Sequence, residues 1–275
     1  MLITYKNEKG TIKLYGNGEH EMRICAIEGL EPPAKARQLQ SYISEDGCVE
    51  GAAQYNQRII TISGDANNLE AVKNAARILS KKGVLTIYGE FCTRKITVND
   101  ATVTIGKRYP DYCTFVIQMT CDYPHFTDIR ETETAVFKIL KYLTKDAVFP
   151  LVLSERTSSG VVYNKGDIKI YPLIAVEKTT DEYGENTITI TNKTTGKRLV
   201  FNKSMEMGER VEIDVKNRKV TSNIDGNIIH ALDRFSSLSD MWLDMGENDI
   251  SVDIGGEERG LSVTIISSNE YTEAI

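Results

Sequence analysis

The sequence predicts a mainly β protein, β-rich α+β in class, with one helix. The longest signal runs between Asn164 and Ile254, where apolar and polar residues alternate in short stretches bounded by Gly, Asn and Asp. Such alternation is typical of strands with one buried face, and no helical period competes with it here. We interpret this stretch as an antiparallel β-sandwich without catalytic machinery. Its apolar positions are Ile168, Ile170, Ile174, Val176, Ile188, Ile190, Leu199, Phe201, Val211, Ile213, Val215, Ile250, Val252 and Ile254.

The first 121 residues predict a second β domain. Short apolar runs separated by Gly, Asn and Pro indicate its strands. The expected strands are residues 2–5, 11–15, 22–27, 58–62, 84–88, 95–98, 102–105 and 113–119. They are expected to form an antiparallel sheet.

One helix is predicted over residues 65–82. Apolar residues recur there at the three- and four-residue steps of a helix. They are Leu69, Val72, Ala76 and Leu79. Asp65 or Asn67 is the expected N-cap, and Gly83 the expected left-handed exit. The helix is expected to pack on the N-terminal sheet.

Three further segments set the domain organisation. Residues 34–54 are polar and turn-rich and are expected to form an extended arm, with Asp46-Gly47 as its hairpin turn. Pro124 marks a junction, because proline cannot donate to a sheet ladder. Residues 130–143 predict a short amphipathic helix, with Val136, Leu140 and Leu143 on one side. We therefore predict a domain over residues 1–127, a linker over 128–162 and a sandwich domain over 163–275.

The composition excludes several classes of protein. The chain has 275 residues, 33 of them basic and 39 acidic, with a formal charge of −6. A mildly acidic chain has no long-range attraction for nucleic acid, so no specific nucleic-acid binding is expected. No signal peptide and no membrane helix are expected, because no basic segment precedes an apolar run and no stretch approaches roughly 20 apolar residues. We expect synthesis in the host cytoplasm and five reduced cysteines.

No catalytic, metal or cofactor site is predicted. No two cysteines lie two to four residues apart, so the paired spacing of zinc ligands is missing. His20 and Cys25 are interpreted as lying on opposite sides of a strand. Cys121 and His125 are interpreted as a buried thiol and a surface imidazole, not as a nucleophile and its base. We predict that the chain is not an enzyme and that it uses no cofactor and no metal.

Trp242 is the one candidate for a ligand-contacting residue. It is the only tryptophan in the chain. It alternates with Met241 and Leu243 in an apolar segment, which favours packing in the core. Stacking on a sugar ring is kept as the alternative.

Several short phrases stand in a characteristic order and spacing along the chain. In the C-terminal half these phrases are Asn164-Lys-Gly-Asp167, the Thr195-Gly196 turn, the strand from Gly208 to Asp214, the segment from Leu232 to Ser236, the turn from Gly246 to Asn248 and the tail from Val263 to Tyr271. In the N-terminal half they are the phrase from Ile27 to Pro33 and the strand after residue 57. In their order and spacing these phrases resemble the distal tail proteins of long-tailed phages, the siphovirus-type tail component family.

The resemblance implies a galectin-like sandwich for the C-terminal domain and a ring-forming N-terminal domain, six copies of which close head to tail. The implied function is that of a structural virion protein in the tail tip or baseplate of a phage, prophage or tail-like particle. This hub ring joins the tail tube protein to the tail fibre or tail-associated lysin protein, next to the tape measure protein. DNA passes through its lumen. The alternative is a carbohydrate-binding module that recognises host cell-wall glycans, with Trp242 in contact with the sugar.

Overall fold

The computed structural model describes residues 1–18, 20–41, 46, 48–109, 111–141, 154–180, 185–256 and 260–274. The chain divides into two compact units, which we call unit 1 (Met1–Ile129 with Tyr271–Ile275) and unit 2 (Arg130–Glu270). Both consist mainly of antiparallel β-structure, so the predicted mainly β class is confirmed. The exact domain boundaries stay a prediction.

Unit 1 contains a large sheet, one helix and a separate hairpin. Its elements are β1 (Leu2–Asn7), β2 (Gly10–Tyr15), β3 (Met22–Glu28), β4 (Lys35–Ser41), β5 (Cys48–Tyr55), β6 (Arg58–Ala66), α1 (Leu69–Leu79), β7 (Gly83–Tyr88), β8 (Thr93–Val98), β9 (Asp100–Arg108), β10 (Cys113–Cys121) and β11 (Phe126–Asp128). The large sheet has the order β11-β8-β7-β1-β2-β3-β6-β10-β9. All eight strands predicted for this region are present, because alternation marks a sheet with one covered face.

The sheet of unit 1 has one weak joint. β2 and β3 are parallel and share a single pair, Tyr15 with Arg23, whereas β3 and β6 pair along almost their whole length. The joint separates what we call the first half (β11-β8-β7-β1-β2) from the second half (β3-β6-β10-β9). Few main-chain hydrogen bonds therefore hold the two halves together.

Helix α1 is shorter than predicted. Asn68, not Asp65 or Asn67, is its N-cap, and its side chain accepts a hydrogen bond from the main-chain nitrogen of Glu70. Asp65 is part of β6 instead. The helix buries Val72 and Leu79 as predicted, together with Ala75 and Ile78, whereas the predicted Leu69 and Ala76 are only half-buried. Among the described residues no helix is long and apolar enough to cross a membrane.

Gly83 is not the left-handed exit of the helix. It is the first residue of β7 and pairs with Val98. A β-carbon there would lie 2.6 Å from the ring of Tyr5. Glycine is required because another part of the chain approaches closely, a contact that local sequence does not show.

The arm is a two-stranded hairpin, as expected. β4 and β5 pair antiparallel from Lys35↔Tyr55 to Ser41↔Cys48, and they form a sheet of their own. Gly47, half of the predicted turn, lies outside the described residues.

Unit 2 is a sandwich of two sheets. Its elements are β12 (Thr132–Lys141), β13 (Ser154–Thr157), β14 (Ser159–Asn164), β15 (Leu173–Lys178), β16 (Glu185–Asn192), β17 (Lys197–Ser204), β18 (Arg210–Asp214), β19 (Lys219–Ser222), β20 (Gly226–Asn227), two 3₁₀ turns (Ile229–Ala231 and Leu238–Asp240), β21 (Gly246–Gly255) and β22 (Leu261–Ser267). One sheet has the order β13-β12-β22-β15-β18-β19-β20 and the other β14-β21-β16-β17. Both sheets contribute to one apolar core, which contains every predicted inward position except the half-buried Ile168.

The helix predicted over residues 130–143 is wrong, because β12 occupies this region. β12 pairs with β22, and a bulge lies between Ala135 and Phe137. The bulge turns both Val136 and Phe137 into the core, where each is 0% exposed. Two adjacent inward residues break the alternation of a strand and imitate the spacing of a helix.

The chain then returns to unit 1. β23 (Glu270–Tyr271) adds beside β11 and completes a ten-stranded sheet. Residues 271–274 thus belong to unit 1, although unit 2 lies between them and the rest of that unit.

Candidate functional site

Trp242 lies in the loop that precedes β21. Its neighbours Met241 and Leu243 are buried, at 1% and 0% exposure, while the indole is half-buried and outside the core cluster. Leu243 forms an isolated bridge with Ile170, with N–O distances of 2.8 and 3.0 Å. The prediction that Trp242 packs in the core is therefore wrong, because its two neighbours take the inward positions.

Polar groups contact the indole on its exposed side. The Nε1–H group donates to Oδ1 of Asp244 at 3.1 Å. The ammonium of Lys169 lies 5.1 Å from the centroid of the indole and 6.0 Å from that of Tyr171. This is the geometry of a cation–π contact. An aromatic ring beside an acid and an amine offers apolar and hydrogen-bonding contacts to a polyol, but Lys169 already occupies one face of the ring.

Asn248 holds the loop in place on one side of Trp242. Its side chain is completely buried. Oδ1 accepts from the main-chain nitrogen of Asp244 at 2.9 Å, and Nδ2 donates to the main-chain oxygens of Asp244 and Gly246 at 2.8 and 3.2 Å. The amide thus replaces the main-chain hydrogen bonds that the tight loop cannot make for itself.

Two further buried asparagines hold the same loop on the other side of Trp242. Nδ2 of Asn192 donates to the main-chain oxygen of Trp242 at 3.0 Å. Nδ2 of Asn164 donates to the main-chain oxygen of Ile168 at 2.8 Å and, at 3.4 Å, to that of Leu243. In the sequence these three asparagines are ordinary turn residues of separate phrases. The fold brings them together around one loop, which therefore presents Trp242 in a fixed position.

Two of the cavities in unit 1 lie beside β3. The larger, about 830 Å³, is a groove between the two halves of the sheet. Ile24, Ile27 and Leu30 line one side, and Ile87 and Tyr88 the other. We call it the interhalf groove.

The second cavity, about 570 Å³, brings His20 and Cys25 together with Arg23 and Asp65. The pair was expected on opposite sides of a strand, and that expectation is wrong because His20 precedes β3. Sγ of Cys25 donates to Oδ1 of Asp65 at 3.1 Å, and this hydrogen bond raises the pKa of the thiol. The thiol is therefore a poor nucleophile.

Both carboxylate oxygens of Asp65 accept hydrogen bonds from neighbouring side chains. The Arg23 guanidinium donates to both carboxylate oxygens, at 3.1 and 2.8 Å. Burial acts to raise the pKa of Asp65, but the hydrogen bonds from Arg23 and Cys25 outweigh it, and the pKa is lowered. Among the residues that the structure describes, no three His, Cys, Asp or Glu side chains are grouped as a metal site requires.

The Cys121–His125 pair is not a nucleophile and base. Burial raises the pKa of the Cys121 thiol to about 12, so it stays protonated at neutral pH. His125 is also buried, with the rings of Tyr55 and Tyr123 edge-on at 5.2 Å each. The expectation of a surface imidazole is therefore wrong.

The chain matches known tail proteins. Residues 165–271 match the family model of the siphovirus-type tail component, C-terminal domain. The Dit protein of phage SPP1, described as a paradigm of the hub adsorption apparatus in phages that infect Gram-positive hosts, shares the fold with a TM-score of 0.67 and 12% identity, over 91% of this chain and 93% of that chain. A chain of the phage P2 baseplate, in its activated conformation with calcium, has a TM-score of 0.50 and 14% identity, over 100% of both chains. No curated protein matches. The predicted resemblance is confirmed.

Proposed function

We propose that this chain is a distal tail hub protein. Residues 165–271 match the family model of the siphovirus-type tail component, C-terminal domain, which supports the proposal. Copies of unit 1 close into a hexameric ring at the tail tip. The ring connects the tail tube protein to the tail fibre or tail-associated lysin protein, beside the tape measure protein, and DNA passes through its lumen. The observation that carries the proposal is the fold shared with the Dit protein of SPP1 over 91% of the chain.

The outer face of the second half of the sheet supports assembly. Paired positions on β6, β10 and β9 form two rows without a charged side chain, Ser63–Val116–Thr104 and Thr61–Gln118–Thr102. Val116, in the middle, is 39% exposed. Surfaces that stay in water usually carry mixed charges, so two uncharged rows across three neighbouring strands are suited to burial against another copy.

The edge strand of the same half supports a ring. β9, nine residues long, ends the sheet and pairs only with β10 among the described strands. An open edge invites aggregation unless another chain covers it. A head-to-tail contact between copies covers the edge and closes into a ring when the rotation permits.

The proposal is tested by negative-stain imaging and mass photometry of the purified protein, alone and mixed with the tail-tip protein encoded beside it. We expect six-lobed rings with an open centre. Val116→Lys should abolish the rings, because it places an ammonium in the uncharged face. Thr97→Lys, on an exposed position of β8, is the matched control and should retain them. Monomers of the unmodified protein in both samples would refute the ring.

A second candidate function is carbohydrate binding by unit 2. The observation that favours it is the half-buried indole of Trp242, held rigidly beside Asp244 and Lys169. Aromatic side chains with one end in apolar surroundings and the other in contact with water are common in binding sites.

A further inference from the structure

Residues 271–274, which we call the strap, are built into unit 1. Ala274 is 3% exposed and belongs to the apolar core of this unit. Its main-chain nitrogen donates to the oxygen of Leu30 at 3.1 Å. The strap is therefore part of the packed structure of unit 1, although in sequence it follows the whole of unit 2.

One set of strap contacts goes to the first half of the sheet. The guanidinium of Arg94, on β8, lies 3.7 Å from the ring centroid of Tyr271 and donates to the main-chain oxygen of Glu273. The hydroxyl of Tyr271 donates to Asp128 at 3.2 Å, and the Cys92 thiol to the oxygen of Ala274 at 3.6 Å. A side-chain cation, an aromatic ring and main-chain groups together fix the strap to β8 and β11.

The other set goes to the second half. Arg58, on β6, is 2% exposed, and its guanidinium donates only to main-chain oxygens. The acceptors are Pro124, Gly29 and Glu31 at 2.6, 2.6 and 2.7 Å, and Thr272 of the strap. Burial lowers the pKa of Arg58. A buried cation depends on every acceptor it has, so the oxygen of Thr272 is a necessary part of this site.

The strap therefore bridges the weak joint of the sheet. The two halves share only the Tyr15–Arg23 strand pair, although their apolar residues belong to one core and β8 also contacts β10. The interhalf groove lies between them on one side. Helix α1 is one bridge, since it packs against β2 as well as β6 and β9. The strap is a second bridge, and Ala274 lines the groove between the halves.

We propose that the strap locks the two halves of unit 1 together, so that unit 1 reaches its assembly-competent form only after the chain beyond unit 2 has been synthesised. A nascent chain of which only residues 1–129 have been synthesised contains all strands of the sheet except β23, and it lacks the strap. Its two halves are held by α1, the single strand pair and the apolar core that they share, without the contacts of the strap. The lock thus keeps incomplete chains out of the ring. The assembly part rests on the proposed function, whereas the locking does not.

The test uses the full chain with Ala274→Asp, which places a carboxylate in the apolar core. We expect amide hydrogen exchange in β3 and β8 to accelerate about tenfold or more, because the joint between the halves opens, while β16 and β21 exchange as before. The fraction of the protein that forms rings, measured by mass photometry, should fall in the same variant. Glu273→Ala is the matched control: the Glu273 side chain is exposed, and its part in the strap is its main-chain oxygen.

If amide hydrogen exchange in β3 and β8 is unchanged in Ala274→Asp, the proposal that the strap locks the two halves is overturned. Faster exchange with a normal fraction of ring overturns its link to assembly. If the unmodified protein forms no ring, the proposed function fails, and exchange alone decides the lock. If Ala274→Asp unfolds the whole chain, Tyr271→Leu decides, since it removes the ring beneath Arg94 and keeps an apolar side chain. Normal exchange in that variant also overturns the lock.

Discussion

Replacing Asn248 by alanine should strongly destabilise unit 2. The change removes the partner of three main-chain groups, the N–H and oxygen of Asp244 and the oxygen of Gly246. Each buried polar group left without a partner costs about 1–3 kcal/mol. Asp244 and Gly246 are half-buried, so water replaces some of the lost bonds. We expect a total loss of about 2–4 kcal/mol in the free energy of unfolding.

The natural assay is urea denaturation followed by tryptophan fluorescence. Trp242 is the only tryptophan, and it lies in the loop that Asn248 holds, so its emission reports on unit 2 alone. Asn202→Ala is the matched control, because Asn202 is exposed on β17. Its effect should stay within about 0.5 kcal/mol. Equal midpoints for the two variants would show that the buried amide does not hold the loop, and the account of the three asparagines would then be wrong.

Two further predictions concern Cys121 and Trp242. The pKa of Cys121 is about 12 in the folded state against 9.0 ordinarily, so its contribution to stability is complete below about pH 9 and is lost as the pH rises towards 12. Between about pH 8 and 10.5 the unmodified protein should therefore lose about 2 kcal/mol more than Cys121→Ala in urea denaturation, and parallel losses would contradict this. If unit 2 binds sugar, calorimetric titration with purified wall polysaccharide of a Gram-positive host should give heat that Trp242→Ala abolishes and Phe235→Ala, at a 90% exposed ring, retains. No heat from the unmodified protein would exclude binding of that polysaccharide.

The strands of both units were predictable because their signal is local. An inward apolar residue every second position is enough to place a strand, whatever its partner is. The pairing of the strands and their order in the sheet were not predictable in this way. Nothing in the sequences of β2 and β3 shows that they share only the Tyr15–Arg23 pair, since register depends on the whole sheet.

The wrong predictions have specific physical causes. In β12, a bulge turns Val136 and Phe137 to the same side and imitates a helical period. At Gly83, the close approach of Tyr5 requires glycine, whereas the sequence suggested a helix end. At Trp242, the apolar neighbours take the inward positions and leave the larger ring half-exposed. In each case a tertiary contact overrides a reasonable local pattern.

The candidate site was only partly accessible from sequence. Asn164 and Asn248 belong to short phrases typical of turns, and Asn192 lies three residues before the Thr195-Gly196 turn, so nothing in the sequence marks their side chains as buried. A turn on the surface tolerates Asp, Ser or Gly at such positions. A buried amide that both donates and accepts does not, because a carboxylate cannot donate and a hydroxyl does not span the same groups. At these three positions the burial of the side chain therefore requires asparagine more strictly than the turn does.

The two units differ in how their sequence specifies their structure. In unit 2, the asparagines make bonds within two to four residues as well as across the loop, as Asn164 does with Gly166 and Leu243, so part of their role shows locally. In unit 1, Arg58 donates to four main-chain oxygens from three separate segments, one of them 214 residues away. No local pattern encodes such a site. A unit whose core contains segments distant in sequence is complete only when all of them have been synthesised. The proposed lock depends on this property.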